Sequence, residues 1–414
     1  MSKYLNTRYS LYTIENIMKQ KLIYLQKNLC SIKALSPDFE DGEGEYKKAE
    51  WLKKYLIEKN LGKIRQYNTL DERAKEKIRP NFNLFCKGQT DQNLWIISHL
   101  DVVPINDLEK WNSNPFELKI DGNVIYGRGV IDNHNGICSS LLALESLLEK
   151  NKKPYYNINL LFVSDEETGS KYGMRYLLDN YNLFKKDDLI IIPDAGDEAG
   201  LKIIIAEKCQ LWLKFKTIGK EAHGSRPNFG INAFRAASYF IVELNRLYDI
   251  FDEKDNLFTI GSTFEPTKKL KNVNNINIIP GEDVFFMDCR LLPSVKETSV
   301  LDEIDKIQKK IEEKFRVKIE RENLTKDTPS PSTPENAKII RLLVSAIKKI
   351  KGKEPYLKGI GGGTFASFLR KKGLDAVVYS TINDSAHCAN EYCEIDKLIE
   401  DILVFESVMM NNKI

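Results

Sequence analysis

The spacing of apolar residues predicts alternating helices and strands over the first two hundred residues. Helical periodicity predicts four helices, at residues 10–31, 44–60, 137–150 and 172–178. In the first of them one apolar face would carry Ile14, Ile17, Leu22 and Leu25. Short apolar runs predict strands at 82–85, 94–97, 158–163 and 189–192, and turn residues predict a hairpin within 112–128. Such alternation is typical of an α/β sheet covered by helices on both faces.

The pattern changes near Glu207 and changes back after a Pro/Ser-rich stretch at 327–334. Between these points we expect strands at 211–218, 258–264, 275–279 and 284–291, and helices at 232–248 and 300–315. Beyond them we expect a helix at 335–350, a strand at 376–380 and a last helix from about 395. The predicted fold is α/β, with a mixed, mostly parallel sheet. Residues 1–208 and 327–414 would form it, and 209–326 an inserted α+β lid or dimerisation domain.

Length and composition agree with a two-domain globular protein. The 414 residues are 42% hydrophobic and 29% charged, which is usual for such proteins. A net charge of +3 gives no reason to expect nucleic acid as a partner. No apolar run is long enough to span a membrane, and the first residues have no signal-peptide pattern. Seven cysteines without CxxC spacing argue against a disulfide framework, so a cytoplasmic enzyme is expected.

Candidate metal ligands stand at the ends of the predicted strands. His99 and Asp101 follow the strand at 94–97, and residues i and i+2 of an extended chain point to the same side. Further candidates follow in a glycine-rich loop and after the later strands: Asp132, Glu166, Glu167, Asp194 and His387. Ligands of open α/β sheets bind beyond the carboxyl ends of the strands. Imidazoles with carboxylates suit zinc and similar ions, so the set predicts a catalytic metal site.

Each residue alone has a simpler interpretation. A single histidine near a strand end is usually hydrogen-bonded and structural, and an aspartate in a glycine-rich loop is usually a turn former. Cys138 and Cys388 are interpreted as small packing residues, although a nucleophilic pair of Cys388 with His387 is an alternative. The number of candidates, rather than any one of them, favours the metal site.

Eight motifs in order resemble the acetylornithine deacetylase / succinyl-diaminopimelate desuccinylase family of di-zinc peptidases and deacylases. They are SHLDVVP, GRGVIDNHNG, SDEETGS, IPDAG, AHGSRP, NIIPG with DCR, GGGT and AHCANEY, and the resemblance spans about residues 15–410. It implies two zinc ions (with cobalt or manganese as alternatives), one held by His99, Asp132 and Asp194 and the other by Asp132, Glu167 and His387. It also implies Glu166 as general base, Asp101 as the partner that orients His99, and a cis peptide at Asp132–Asn133. His134 departs from the family pattern and is interpreted as a non-ligand.

The same resemblance implies substrate contacts in and near the inserted domain. His223 would donate to the substrate carbonyl, often from the second subunit of a dimer. Arg290 and Asn277 would hold the substrate carboxylate or its neighbouring atoms, and Gly362, Gly363 and Thr364 would present backbone donors to it. The alternatives stay open: Arg290 in a plain salt bridge, Asn277 in a turn, and GGGT as a loop leading into a helix.

The implied activity is hydrolysis of an amide in N-acyl-amino acids or short peptides with a free carboxylate. The alternatives are a dipeptidase or carboxypeptidase of the same family and, from another class, a catalytically silent ligand-binding relative. A homodimer through the inserted domain is expected from the resemblance.

Overall fold

The computed structural model describes residues 2–325 and 327–411, with side chains from Asn16 onward. The helices are α1 (Ser2–Ser31), α2 (Tyr46–Glu58), α3 (His134–Glu149), α4 (Met174–Asn180), α5 (Ala233–Leu244), α6 (Leu247–Ile250), α7 (Glu297–Phe315), α8 (Lys338–Lys351), α9 (Phe365–Lys371) and α10 (Ile395–Met410). The strands in the first half are β1 (Lys63–Gln66), β2 (Thr69–Leu70), β3 (Ile78–Arg79), β4 (Phe82–Cys86), β5 (Asn93–His99), β6 (Lys119–Asp121), β7 (Val124–Tyr126), β8 (Asn157–Val163), β9 (Leu189–Asp197) and β10 (Lys202–Glu207). The later strands are β11 (Cys209–Ile218), β12 (Ala222–His223), β13 (Thr263–Lys269), β14 (Ile278–Ile279), β15 (Glu282–Leu291), β16 (Lys318–Asn323), β17 (Tyr356–Ile360), β18 (Ala376–Thr381) and β19 (Tyr392–Glu394).

The chain divides into two compact units. The first comprises the chain up to Ile205, Thr333–Leu357 and the chain from Thr364 on, and the second comprises Ala206–Ser332 and Lys358–Gly363. The predicted domain boundaries differ from these two units most at residues 358–363, which the prediction assigned to the first domain. Backbone hydrogen bonds explain the difference, because Lys208 N donates to Ile360 O (3.0 Å) and Gly359 N donates to Leu257 O (2.8 Å).

The large sheet has the order β1-β4-β8-β5-β9-β18-β10-β17. Its central pairs, β8–β5, β5–β9 and β9–β18, are parallel, and β1–β4, β4–β8 and β10–β18 are antiparallel. The predicted mixed sheet is therefore confirmed, with β8, β5, β9 and β18 as a parallel part next to antiparallel pairs on both sides. Every residue of β8 is buried, as expected for a strand covered on both faces.

Helices of the first unit pack in two groups. Helix α3 contacts α1, α10 and β5, and α8 contacts α10 and β9. Helix α9 contacts β18 and also α4. On α1, Leu22 and Leu25 are buried as predicted, whereas Ile17 is exposed because it lies on the outer side of the helix. Ile14 lies outside the residues whose side chains are described.

The second unit is an antiparallel sheet, β13-β15-β11-β16, covered by helices α5 and α7. Burial alternates along β11 and β15, so one face of each forms the core, with Phe215, Phe240 and Phe285 in mutual ring contact. The predicted strand at 258–264 is wrong, because pairing with β15 begins only at Thr263. The loop before it bonds instead to 358–359, through the carbonyls of Asn256 and Leu257.

Across the described residues, no helix combines the length and apolarity that crossing a membrane requires.

Candidate metal centre

The four central parallel strands bring the candidate ligands to one edge of the sheet. His99 ends β5, and Glu166 and Glu167 follow β8 by three and four residues. Asp194 lies in β9, and the loop after β18 carries His387. Parallel neighbours present their carboxyl ends at the same edge, so residues far apart in sequence converge there.

Asp194 lies within a bulge of β9, not beyond the strand end as predicted. Val378 pairs with Ile192 and Ser380 pairs with Gly196, so residues 193–195 of β9 lie opposite the single residue Tyr379 of β18. Pro193 begins the bulge, where its missing N–H costs no ladder hydrogen bond. Bulges re-aim side chains, and this one turns Asp194 towards His99.

His99 is the centre of the first group of potential ligands. Its Nε2 lies 2.9 Å from Asp132 Oδ1 and 3.4 Å from Asp194 Oδ1. Its Nδ1 contacts the main-chain oxygen of Asp101 at 3.0 Å, and a hydrogen bond there leaves the Nε2 lone pair facing the carboxylates. The three side chains offer ligand atoms within 4.8 Å of one another.

His387 forms a second group with Asp132 and Glu167. Its Nε2 lies 2.9 Å from Asp132 Oδ2 and 3.1 Å from Glu167 Oε2. Asp132 therefore belongs to both groups, one carboxylate oxygen facing each histidine. His387 has a φ of 62°, a left-handed conformation that residues other than glycine seldom adopt. A further group of ligand atoms joins His99, Glu166 and Glu167.

Asp101 supports the glutamate pair as well as the histidine. Its Oδ1 accepts a hydrogen bond from Glu166 N (3.1 Å) and its Oδ2 accepts one from Glu167 N (3.0 Å). The carboxylate Oδ1 lies 3.6 Å from His99 Nδ1, farther than the main-chain oxygen of the same residue. The predicted orienting partner of His99 thus acts mainly through its carbonyl, and its carboxylate orients the turn that carries Glu166.

Negative charge in the cluster exceeds the positive charge around it. Burial raises the pKa of Glu166 well above its usual range, and the nearby Asp194 charge adds to this. Burial also raises the pKa of Glu167 to about 7. In the described parts of the chain, Asp132, Asp194 and Glu167 form ion pairs only with His99 and His387. Divalent cations would supply the missing positive charge, and the donor set is one that zinc accepts.

Asn133 links the ligands and was not singled out from the sequence. The predicted cis peptide at Asp132–Asn133 is confirmed. The Asn133 side-chain amide donates to Asp194 Oδ1 (3.0 Å) and to Pro193 O (2.6 Å), and its oxygen accepts from His99 N (3.3 Å). One amide therefore fixes the ends of β5 and β9 relative to each other.

Glu391 is a second residue that the sequence reasoning missed. It is fully buried, and its carboxylate accepts hydrogen bonds from the backbone of Gly129, Ile131 and Asp132 and from the Arg128 guanidinium (2.7 Å). The available signal was its place in the motif AHCANEY, which also contains His387. Its role is to hold the loop that presents Asp132.

We expect Glu391→Ala to lower the free energy of unfolding by about 3–5 kcal/mol, because it leaves the buried Arg128 charge without its partner. Urea unfolding of the metal-free protein measures this. The control is Glu394→Ala, whose partly exposed ion pair with Lys397 should contribute less than about 1 kcal/mol. Equal effects of the two substitutions would contradict the assignment.

His223 and Asn277 lie next to each other in the second unit. His223 is on β12, is exposed, and its Nδ1 accepts a hydrogen bond from Ser225 N (3.2 Å). A neutral imidazole held this way carries its proton on Nε2, which is then a donor. Gly224 N donates to Asn277 O (2.6 Å), and Asn277 precedes the short strand β14, so its predicted alternative as a turn residue fits its position.

Arg290 and the glycine loop also lie together in the second unit. The Arg290 guanidinium forms a two-point ion pair with Asp288 (2.6 and 2.9 Å), and its Nη1 donates to Gly361 O (3.3 Å). At Gly362 and Gly363 an added Cβ would meet no atom within 4 Å. Thr364, in the first unit, caps α9 by accepting from Ala366 N (3.2 Å). The structure thus shows Arg290 in a salt bridge and Thr364 at the start of a helix, as the alternative interpretations expected.

The structure gives the alternative Cys388–His387 pair no support. The exposed Cys388 thiol contacts the Asp384 carbonyl oxygen at 3.9 Å, whereas His387 Nε2 faces Asp132 and Glu167.

Comparison with known proteins agrees with this geometry. Residues 95–411 match the sequence model of peptidase family M20/M25/M40. An uncharacterized metallohydrolase of Methanocaldococcus jannaschii is 43% identical over 409 residues, covering 94% of this chain and 99% of that protein. A succinyl-diaminopimelate desuccinylase of Ehrlichia canis is 28% identical over 332 residues, covering 78% of this chain and 83% of that protein.

A solved structure, a tripeptidase from Staphylococcus aureus, superposes with a TM-score of 0.75 at 18% identity, covering 94% of this chain and 97% of that one. At that identity the likeness concerns the fold, and it matches the α/β architecture described above. The resemblance inferred from the motifs is confirmed by the family match. The chain belongs to peptidase family M20/M25/M40 and is a metal-dependent hydrolase.

Proposed function

We propose that the chain hydrolyses the amide bond of N-acyl-amino acids or short peptides that carry a free carboxylate. The observation that carries the proposal is the position of Asp132, which shares its two carboxylate oxygens between His99 and His387. A carboxylate placed in this way would let one residue take part in holding two divalent ions. The desuccinylase and tripeptidase named above both act on amide bonds, which supports the reaction class.

The residues would divide the work as follows. His99, Asp132 and Asp194 would hold one ion, and Asp132, Glu167 and His387 the other. Two zinc ions are proposed, with cobalt or manganese as alternatives, since imidazole and carboxylate donors suit all three. When bound, the ions act as Lewis acids and lower the pKa of water.

Glu166 is the proposed general base. Its backbone N–H donates to Asp101, and its carboxylate forms no hydrogen bond or ion pair within the described residues. A glutamate whose backbone is fixed and whose carboxylate is available can accept a proton from water and then pass it to the leaving amine. Glu166 lies in one ligand group with His99 and Glu167, so it stands beside the proposed ions.

His223 is proposed to donate from Nε2 to the substrate carbonyl, either within one chain or across a homodimer. The second unit exposes Phe234, Tyr239 and Val242 on α5, and an apolar helix face of this kind supports a dimer contact. A cytoplasmic location is also proposed, supported by seven cysteines that are all unpaired.

Arg290 and Asn277 are proposed to bind the substrate carboxylate or its neighbouring atoms, and Gly362, Gly363 and Thr364 are proposed to present backbone donors to the carboxylate. We expect Arg290→Ala to raise KM about tenfold or more with a smaller change in kcat, as a hydrogen bond to a charged group contributes about 1.5–3 kcal/mol. The kinetics are measured with an N-acyl-amino acid and with its C-terminal amide. The amide has no carboxylate for Arg290 to bind, so its KM should differ little between wild type and Arg290→Ala. Arg246→Ala, at an exposed arginine of the same unit, is the control.

The test of the function is a mass-spectrometric screen of dipeptides, tripeptides and N-acetyl- and N-succinyl-amino acids. The protein is assayed with zinc, cobalt or manganese and after treatment with a chelator. Amide cleavage that is lost with the metal and regained on its return supports the proposal. Absence of cleavage of every compound by the metal-replete protein would favour the catalytically silent alternative, and preference for peptides would favour the dipeptidase or carboxypeptidase alternative.

A further inference from the structure

A lysine is buried behind the proposed metal centre and contacts a histidine that the proposed reaction does not use. Lys48, on α2, has no exposed surface, and its Nζ lies 2.7 Å from Nε2 of His134. His134 is also buried and belongs to none of the three groups of potential ligands. Lysine is almost never fully buried without a specific partner, so the pair needs an explanation. Lys48 also lies outside the segment 95–411 that matches the family.

His134 is built into the segment that presents Asp132. It is the first residue of α3, two positions after Asp132, and its backbone N–H donates to Gly129 O (2.9 Å). Its ring lies against Gly129, where an added Cβ would be 2.5 Å from Cε1 and 2.8 Å from Nε2. Gly129 has a φ of 86°, so both its conformation and its close contact with the ring require glycine.

The segment is thus held at two places. Glu391 accepts hydrogen bonds from the backbone of Gly129, Ile131 and Asp132. The His134 ring contacts Gly129 as well, and Lys48 fixes that ring from helix α2.

The charge of Lys48 suits this position. Burial lowers its pKa to about 8, and negative charge at Asp101, Glu45 and Glu391 opposes the shift. An ammonium group has three donors and no acceptor, so it donates to His134 Nε2 and fixes the tautomer with its proton on Nδ1. Two of the carboxylates that act on Lys48, Asp101 and Glu391, are those that hold the glutamate turn and the Asp132 loop.

We propose that Lys48 and His134 act together as positioning residues of the metal centre. The buried ammonium holds the imidazole against Gly129 and thereby fixes the segment from which Asp132 reaches both ligand groups. This inference rests on the metal site of the proposed function but not on its substrate.

The test measures metal affinity, not activity alone. Full-length wild type, Lys48→Met and His134→Leu are titrated with zinc against a chromophoric chelator, and with cobalt while the visible spectrum is recorded. We expect each substitution to weaken binding of at least one ion about 10–100-fold, the usual effect of losing a partner that orients a ligand, and to alter the cobalt spectrum. His134→Gln keeps an acceptor for the ammonium and should recover most of the affinity.

Lys53→Met is the matched control. Lys53 lies on the same helix, is nearly buried, and donates to Gln66 Oε1 (2.7 Å) instead of to the Asp132 segment. The zinc affinity of this variant should stay within about twofold of wild type, the scatter of independent sites. If Lys48→Met and His134→Leu act through one contact, the double variant should lose little more affinity than either single variant.

The outcomes separate this inference from the proposed function. Wild type that binds no zinc or cobalt would overturn both. If wild type binds these metals and Lys48→Met has the same affinity and cobalt spectrum, only the positioning role is overturned. In that case the substitution would alter only the melting temperature of the metal-free protein. If Lys48→Met does not fold, the comparison of His134→Leu with His134→Gln decides. Equal metal affinity in these two variants would also overturn the positioning role.

Discussion

Replacing Glu166 with Gln is expected to lower kcat by about 10²–10⁴-fold while leaving the bound metal unchanged, because the amide cannot take a proton from water. The geometry gives this substitution little else to disturb. The Glu166 backbone N–H still donates to Asp101, and the ligand groups around Asp132 and Asp194 do not include Glu166. Steady-state kinetics together with metal analysis of the same preparation measure the two quantities.

A matched carboxylate provides the control for this prediction. Glu406→Gln changes a glutamate whose partners are Lys150 and Ser146 and which belongs to no group of potential ligands. Its kcat should equal that of wild type. Glu166→Gln with wild-type turnover, or with a loss of metal equal to its loss of activity, would show that the residue is not the general base.

The convergence of the ligands could be predicted from the sequence because it depends on local patterns. The runs at 94–97, 158–163 and 189–192 are apolar enough to be buried strands, and each is followed by an imidazole or carboxylate. Parallel pairing of β8, β5 and β9 then places those side chains at one edge. The bulge that turns Asp194 inward lies beyond such patterns, since it depends on the register between β9 and β18.

Contacts between distant segments explain what the sequence did not reveal. Glu391 and Arg128 are 263 residues apart and Lys48 and His134 are 86 apart, and neither pair has a periodicity that would connect its members. The strand predicted at 258–264 was wrong for the opposite reason, because a local periodicity is present there without the strand pairing that it suggests. Phe258, Ile260 and Phe264 alternate like a strand, but Ile260 is exposed and the loop bonds to 358–359. The Arg290–Asp288 pair, in contrast, was predictable, because residues i and i+2 share a face of a strand.

Asp132→Ala is expected to remove both metal ions, whereas Asp194→Ala should remove only one. Asp132 Oδ1 faces His99 and Oδ2 faces His387, each at 2.9 Å, so one substitution takes an oxygen from both groups. Of the two histidines, Asp194 forms an ion pair with His99. The loss of an orienting partner already weakens metal binding about 10–100-fold, so the loss of a shared ligand should weaken both ions by more than about 100-fold. Hydrolysis should fall to background.

Metal analysis after dialysis against buffer without chelator distinguishes the two variants. Wild type should retain about two equivalents, as expected for a two-metal site, Asp194→Ala about one, and Asp132→Ala close to none. His387→Ala serves as the mirror control, since it changes only the group with Glu167 and should also retain about one equivalent. If Asp132→Ala lost one equivalent, as the other two variants should, the carboxylate would serve a single ion. The two groups would then be separate sites, and the mechanism proposed for Glu166 would have to operate with one metal.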